Sequence, residues 1–266
     1  MTAIGLYLIM GAFAGLAAGL LGVGGGLIIV PLLAMVFQQQ GFAAPLIVHL
    51  AVGTSLLTMV LTSLSSVYAH HRRGAVLWPV FMRLVPGIIT GAGLGAAVAG
   101  LMTTSTLRIV FGVFEFAVAV QMTLDIKPAA HRRLPTAPGM FASGGVIGGL
   151  SALLGVGGGT MTVPFLIWCN VAVRNAIATS AACGLPIALV GGLGFVISGW
   201  NESTLPRYST GFVYWPALAG IAVASVLFAP IGAKFAHKLP AKLLKRLFSL
   251  LLYVLAIRMF WDWRTG

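Results

Sequence analysis

Charge is what this sequence has least of. Asp, Glu, Lys and Arg make up 8% of its 266 residues, against about a quarter in ordinary soluble domains, and only 4 residues are acidic. A chain so poor in charge cannot cover a water-facing surface, which excludes a soluble enzyme; with 59% hydrophobic residues it is no disordered chain either. Cysteine is as scarce. Cys169 and Cys183 are too few for a secreted disulfide scaffold and lack the further Cys and His partners of a metal site, so they read as free thiols within the membrane. Catalytic patterns are missing too: there is no HExxH, no Walker lysine behind a glycine loop and no serine in a GxSG setting. No enzymatic activity, metal or cofactor is therefore expected. What remains, at a mean hydropathy of +1.03, is an integral membrane protein.

The few charges are mostly positive, 16 Lys and Arg for a net +12, and their placement decides between nucleic acid and lipid as partner. They gather in short segments between apolar runs: His70 to Arg73, then Lys127, Arg132 and Arg133, then Lys234, Lys238, Lys242, Lys245 and Arg246. That is the positive-inside bias of membrane insertion, and nucleic-acid binding is not expected. The first charged residue is Arg72, so the apolar start lacks the basic region of a signal peptide and is expected to stay in the mature protein.

Apolar runs fall at about 4–37, 44–69, 75–101, 106–125, 138–169, 175–199, 211–235 and 243–262. The first and fifth share one signature. Gly22-Val23-Gly24-Gly25-Gly26 followed by Pro31 recurs, 133 residues later, as Gly155-Val156-Gly157-Gly158-Gly159 followed by Pro164. Gly11 and Gly15 match Gly144 and Gly148 at the same offset; with small shifts Thr54-Ser55 matches Thr179-Ser180, and Gly74 and Trp78-Pro79 match Gly211 and Trp215-Pro216. The chain is read as a duplicated unit: 1–126, a basic cytoplasmic linker 127–137, and 138–266.

A first run of about 34 residues would make a helix of roughly 51 Å, too long for one crossing of a core of about 30 Å and too short for two. Three glycines in a row favour unwinding, at about 1 kcal/mol each relative to alanine. A break at each signature, as a discontinuous span or a re-entrant hairpin, resolves the mismatch, and a proline is tolerated near the first turns of the half-helix that follows. If both broken runs turn back, nearly all loop Lys and Arg fall on one face, Arg207 being the main exception. The fold class expected is an all-α membrane protein of two inverted repeats, each with about four hydrophobic segments.

Unwound backbone inside a bilayer must be buried in protein or line a wet cavity. Gly24, Gly25, Gly26 and Gly157, Gly158, Gly159 have no side chains to block a ligand, and the helix after each break aims N–H groups at it, which suits an anion. Close helix packing is the alternative reading, and it is the one adopted for Gly11, Gly15 and Gly19 at spacing four and for Gly93-Leu94-Gly95. The repeated hydroxyls Thr54, Ser55, Thr179 and Ser180 are candidate donors to the same anion; bonding back along their own helices is the alternative. Arg83 and Glu115 fall inside the third and fourth spans, as an anion-attracting group and a proton carrier or, equally, as a mutual ion pair. Arg108 and Arg174, nearer span ends, are expected to reach the interface, and His49 reads as a packed or interfacial histidine.

With its repeated Gly-Val-Gly-Gly-Gly and trailing proline at residues 19–31 and 152–164, the sequence resembles the TauE/SafE family of sulfite and organosulfonate exporters over nearly its whole length. The resemblance implies a multi-pass carrier of the bacterial inner membrane for a small sulfur-containing or carboxylate anion such as sulfite, thiosulfate or sulfoacetate, working without ATP and with export favoured. An anion channel and an uptake carrier are the rivals. The motif residues are Gly22, Gly24, Gly25, Gly26 and Pro31 with Gly155, Gly157, Gly158, Gly159 and Pro164. Thr160-Met161-Thr162 stands where the first copy has Leu27-Ile28-Ile29, so the half-sites are chemically unequal; Thr160 joins the candidates for substrate contact. The partners expected are the anionic substrate and the lipid bilayer, with a homo-oligomer left open.

Overall fold

The computed structural model describes residues 3–21, 25–124, 133–236 and 241–265. Gly22 and Gly24, and residues 127–132 of the basic linker, lie outside the described residues. Among the described residues ten α-helices follow the apolar runs, the first and fifth runs each holding two: α1 Ala3–Leu21, α2 Gly26–Gln39, α3 Ile47–Arg72, α4 Trp78–Leu101, α5 Thr104–Thr123, α6 Ala137–Leu154, α7 Gly159–Trp168, α8 Val173–Ser198, α9 Trp215–Ala236 and α10 Ala241–Thr265. A two-residue ladder, β1 Ser209–Thr210 with β2 Val213–Tyr214, precedes α9. Among the described residues five helices are long and apolar enough to cross a membrane, which makes this an all-α, multi-pass membrane protein. Its outward surface agrees: Leu94, Leu101 and Ile197 are each more than two-thirds exposed, a placement that suits lipid.

Local chemistry sets the helix ends. Pro79 and Pro138 occupy first-turn positions of α4 and α6, where no in-helix N–H is lost. Thr103 caps α5 by accepting the Thr106 N–H. Gly155 ends α6 in the left-handed region at φ +66°, which a side chain would strain.

Small residues fix the packing. Gly87, Gly91 and Gly95, one turn apart on α4, lie against the backbone of α6 at Phe141, Gly145 and Gly149, so closely that a side chain at any of the three would collide. Both series rise together, so α4 and α6 run parallel. Gly11 and Gly15 of α1 meet Ile221 and Ser225 of α9 in the same way, and Gly220 meets Tyr7, so α1 and α9 are parallel too. Between these pairs α3 and α8 cross the centre antiparallel, with Gly53 on Phe195, Gly191 on Leu56 and Gly184 on Ser63.

Long-range hydrogen bonds sort the helix ends into two faces. Tyr7 donates to Gln40 at 2.8 Å, so the end of α2 returns beside the start of α1. His49 Nε2 pairs with the Ala99 carbonyl at 3.1 Å, Thr104 donates to the Pro45 carbonyl, and the His49 and Phe212 rings lie 5.0 Å apart. The stretches 38–49, 99–104 and 212–214 therefore share a face with the start of α1. His49 is packed, as the sequence suggests. On the other face, Asn175 donates to the Ala75 carbonyl at 3.0 Å and Arg174 to the Arg73 carbonyl at 3.4 Å. Arg174 is exposed there, whereas Arg108, expected at the interface, is buried on α5.

Candidate functional site

The two glycine signatures are where the described helices break. After Leu21, α2 starts at Gly26 with Gly25 as its cap residue, and Ile28 and Ile29 bond back to the Gly25 carbonyl. After Leu154, the turn through Gly155 to Gly157 delivers the chain to Gly158, which begins α7 in the same way, its carbonyl accepting from Met161 and Thr162. No side chain caps either start, so the first N–H groups of each half-helix lack an in-helix acceptor and carry the positive dipole end. Pro31 and Pro164 are each the sixth residue of their half-helix, inside α2 and α7. There each denies a donor to the carbonyl four residues back, at Leu27 and Thr160.

The breaks meet. A side chain on Gly26 would run into the Gly155 carbonyl, with the Val156 Cα 2.9 Å and Met59 Sδ 3.2 Å from its Cβ position. The Ser55 hydroxyl donates to that same Gly155 carbonyl at 3.0 Å. At the second break, the Cβ position of Gly158 lies 3.2 Å from Thr162 Oγ1, 3.3 Å from Ile187 Cδ1 and 3.4 Å from the Ser180 carbonyl. Gly25, Gly26, Gly155, Gly157 and Gly158 are buried and Gly159 half-buried, so the described glycines of both breaks lie largely inside the bundle. A cleft of about 640 Å³ does open elsewhere, between Leu61 and Ser65 of α3 and Leu218, Ala222 and Val226 of α9, but its lining is apolar.

The hydroxyl candidates divide. Thr54 accepts the Tyr214 N–H and Thr179 the Leu77 N–H, both at 3.0 Å and across 160 and 102 residues, so each threonine holds the approach to the other half's Trp-Pro helix start. Ser180 stands at the second break with its hydroxyl buried and unpartnered. Thr160 is half-buried and donates weakly to the Gly157 carbonyl at 3.4 Å. Thr162, two residues on, is fully buried and unpartnered over Gly158; the sequence reading passed over it, although it stands in the same unequal stretch. Helical phase was the available signal, because the residue four after a cap glycine lies above it.

Arg83 is on the exposed side of α4 one turn from its start, while Glu115 is wholly buried with neither carboxylate oxygen bonded. The mutual ion pair considered for them does not form. Around Glu115, α10 brings Met259 and Phe260 against Gly112 and Tyr253 against Phe116. In the loop after α8, outside the spans, Glu202 is held below the usual carboxylate range by hydrogen bonds from the Thr204 hydroxyl and N–H. Among the described residues no group of three His, Cys, Asp or Glu is placed to hold a metal.

Broken helices buried at the centre of a polytopic bundle define a membrane transporter class of architecture. The chain belongs to the family described as sulfite exporter TauE/SafE, which matches residues 7–259. It is 35% identical over 260 residues to a probable membrane transporter protein of Haemophilus influenzae, covering 97% of this chain and 98% of that one. It is 28% identical over 257 residues to a probable membrane transporter protein of Methanocaldococcus jannaschii, covering 96% and 94%, and 26% identical over 238 residues to one of Bacillus subtilis, covering 87% and 89%. No solved structure matches the chain.

Proposed function

We propose that this protein is a secondary transporter that moves a small sulfur-containing anion, such as sulfite, thiosulfate, sulfoacetate or a similar sulfonate, across the bacterial cytoplasmic membrane by alternating access, with export the favoured direction. The contact of Gly26 with Gly155 carries the reading, because it sets the uncapped start of α2 against the buried turn that leads into the uncapped start of α7. Residues 1–126 and 138–266 act as inverted repeats joined by the basic cytoplasmic segment 127–137. The parallel pairs α1 with α9 and α4 with α6 support that relation: each opening helix runs alongside the Trp-Pro helix of the other half, and the two pairs start on opposite faces. The Tyr7 to Gln40 bond supports a re-entrant first break. A buried site favours a carrier over a channel. Gly24 joins Gly25 and Gly26 in contacting the substrate, Arg83 attracts the anion from the membrane surface, and Glu115 carries the coupling proton.

Flux in proteoliposomes tests this. The wild type should show saturable exchange of sulfite or a sulfonate without high-rate conductance. Gly158→Leu, which fills the space beneath Thr162 and Ile187, should abolish exchange while the protein still inserts. Undiminished exchange by Gly158→Leu removes the breaks from the mechanism.

A further inference from the structure

The second break differs from the first in one position that the duplication makes directly comparable. Four residues after each cap glycine a side chain folds over it: Ile29, whose Cδ1 lies 3.0 Å from the Cβ position of Gly25, and Thr162, whose Oγ1 lies 3.2 Å from that of Gly158. Both are buried, at 2% and 0% exposure. Gly25 and Gly26 also meet Ala14, Met59 and the Gly155 carbonyl, and the Ser55 hydroxyl beside them is already spent on that carbonyl. Gly158 meets Ile187 Cδ1 and the Ser180 carbonyl as well as Thr162, but polar groups gather here: Thr162 and Ser180 both keep buried hydroxyls with no partner, and the Cβ position of Gly184 lies 3.2 Å from Ser63 Oγ and 3.9 Å from the Gly158 nitrogen. A buried hydroxyl left unbonded costs free energy that a ligand oxygen would recover. Two of them beside an uncapped helix start point to an oxyanion as the group that is missing.

We propose that Thr162 and Ser180 make the second break the oxyanion subsite, while Ile29 makes the first an apolar end wall, which narrows the substrates named above: among sulfonates the carrier prefers a monoanion with an uncharged carbon end over a dianion charged at both ends, such as sulfoacetate. This rests on the glycine breaks being the binding place. In it, the oxyanion accepts from the Gly159 and Thr160 N–H groups and from the two hydroxyls, and the carbon end lies towards Ile29 and Met59. A second carboxylate at that end would be desolvated against the Gly155 carbonyl, with the Ser55 hydroxyl already committed to that carbonyl, which is how the site discriminates.

Ethanesulfonate and sulfoacetate are matched probes, differing by one terminal carboxylate. Their affinities are read by thermal shift of the purified protein and by competition for exchange in proteoliposomes. The wild type should favour ethanesulfonate. Thr162→Val, nearly isosteric, should weaken it roughly 10- to 100-fold, the loss expected of one hydrogen bond to a charged group, with the ligand-free melting temperature unchanged. Thr162→Ser should restore binding, which a purely packing role for the threonine methyl would not allow. Ile29→Thr should shift preference towards sulfoacetate. The inference is overturned if Thr162→Val binds ethanesulfonate like the wild type, if the wild type prefers sulfoacetate, or if Ile29→Thr leaves the ratio unmoved. Any of these, with exchange still abolished in Gly158→Leu, leaves the breaks as the site and removes only their polarity. Normal binding in Gly158→Leu removes the site itself.

Discussion

Glu115 lies between α5 and α10 with no described side chain donating to it, and with Arg108, the nearest charged residue on its own helix, two turns away. A charge buried without a partner costs several kcal/mol, so a proton can leave this carboxyl only if its surroundings change, as coupling to a conformational cycle requires. Glu115→Gln keeps the shape and removes the titration. Exchange measured across a pH series should lose its pH dependence in this variant, with the melting temperature close to wild type. A fall in melting temperature with pH dependence intact would make Glu115 structural. Gly26 poses the opposite case, since even a methyl there meets the Gly155 backbone. Gly26→Ala should lower both stability and exchange, where a loosely packed loop glycine would tolerate it.

At the scale of elements, the bonds from the Tyr214 and Leu77 N–H groups to Thr54 and Thr179 clasp each half to the other. Thr54→Val or Thr179→Val leaves one backbone N–H without its acceptor, at about 1–3 kcal/mol each. The two sites belong to separate seams, so their effects on thermal stability should add. Overpacking the α4–α6 seam with Gly91→Val should cost at least as much, by about 1–3 kcal/mol or more, because backbone rather than a mobile side chain is in the way. Of the α4 glycines at the seam only Gly95 stands in a stretch read as close packing, but an interruption of the long run in the second half was legible in the sequence, because length acts locally and a run too long for one crossing must bend. The threonine clasps were not. Their partners lie 160 and 102 residues off, and nothing in a Thr-Ser pair says whether its oxygen will accept a distant N–H or face a break. Thr162 was hidden for a smaller reason. The start of α7 at Gly159 fixes which residue overlies Gly158, and a helix start read from sequence is uncertain by more than the two residues separating Thr160 from Thr162.

For the whole molecule the question is how many times the chain crosses. If each of the eight apolar runs crossed once, Ala43 and Ser203 would lie on opposite sides of the membrane, and so would Thr136 and Ala172. With α1–α2 and α6–α7 as hairpins, Ala43 joins Ser203 on one side and Thr136 joins Ala172 on the other. Contacts already join segments that eight plain crossings would separate: the His49 and Phe212 rings on one face, and Arg174 with the Arg73 carbonyl on the other. All four residues are exposed, while the native Cys169 and Cys183 are buried and should react slowly. Single cysteines at the four positions, treated in intact cells with a membrane-impermeant maleimide, should label at 43 and 203 and stay unlabelled at 136 and 172 until the membrane is opened. The positive-inside rule sets which pair faces out, because His70 to Arg73 and Arg174 sit with the second pair. Labelling that separates 43 from 203 would restore eight plain crossings. The two halves would then no longer be inverted, and alternating access by rocking one repeat against the other would lose its structural basis.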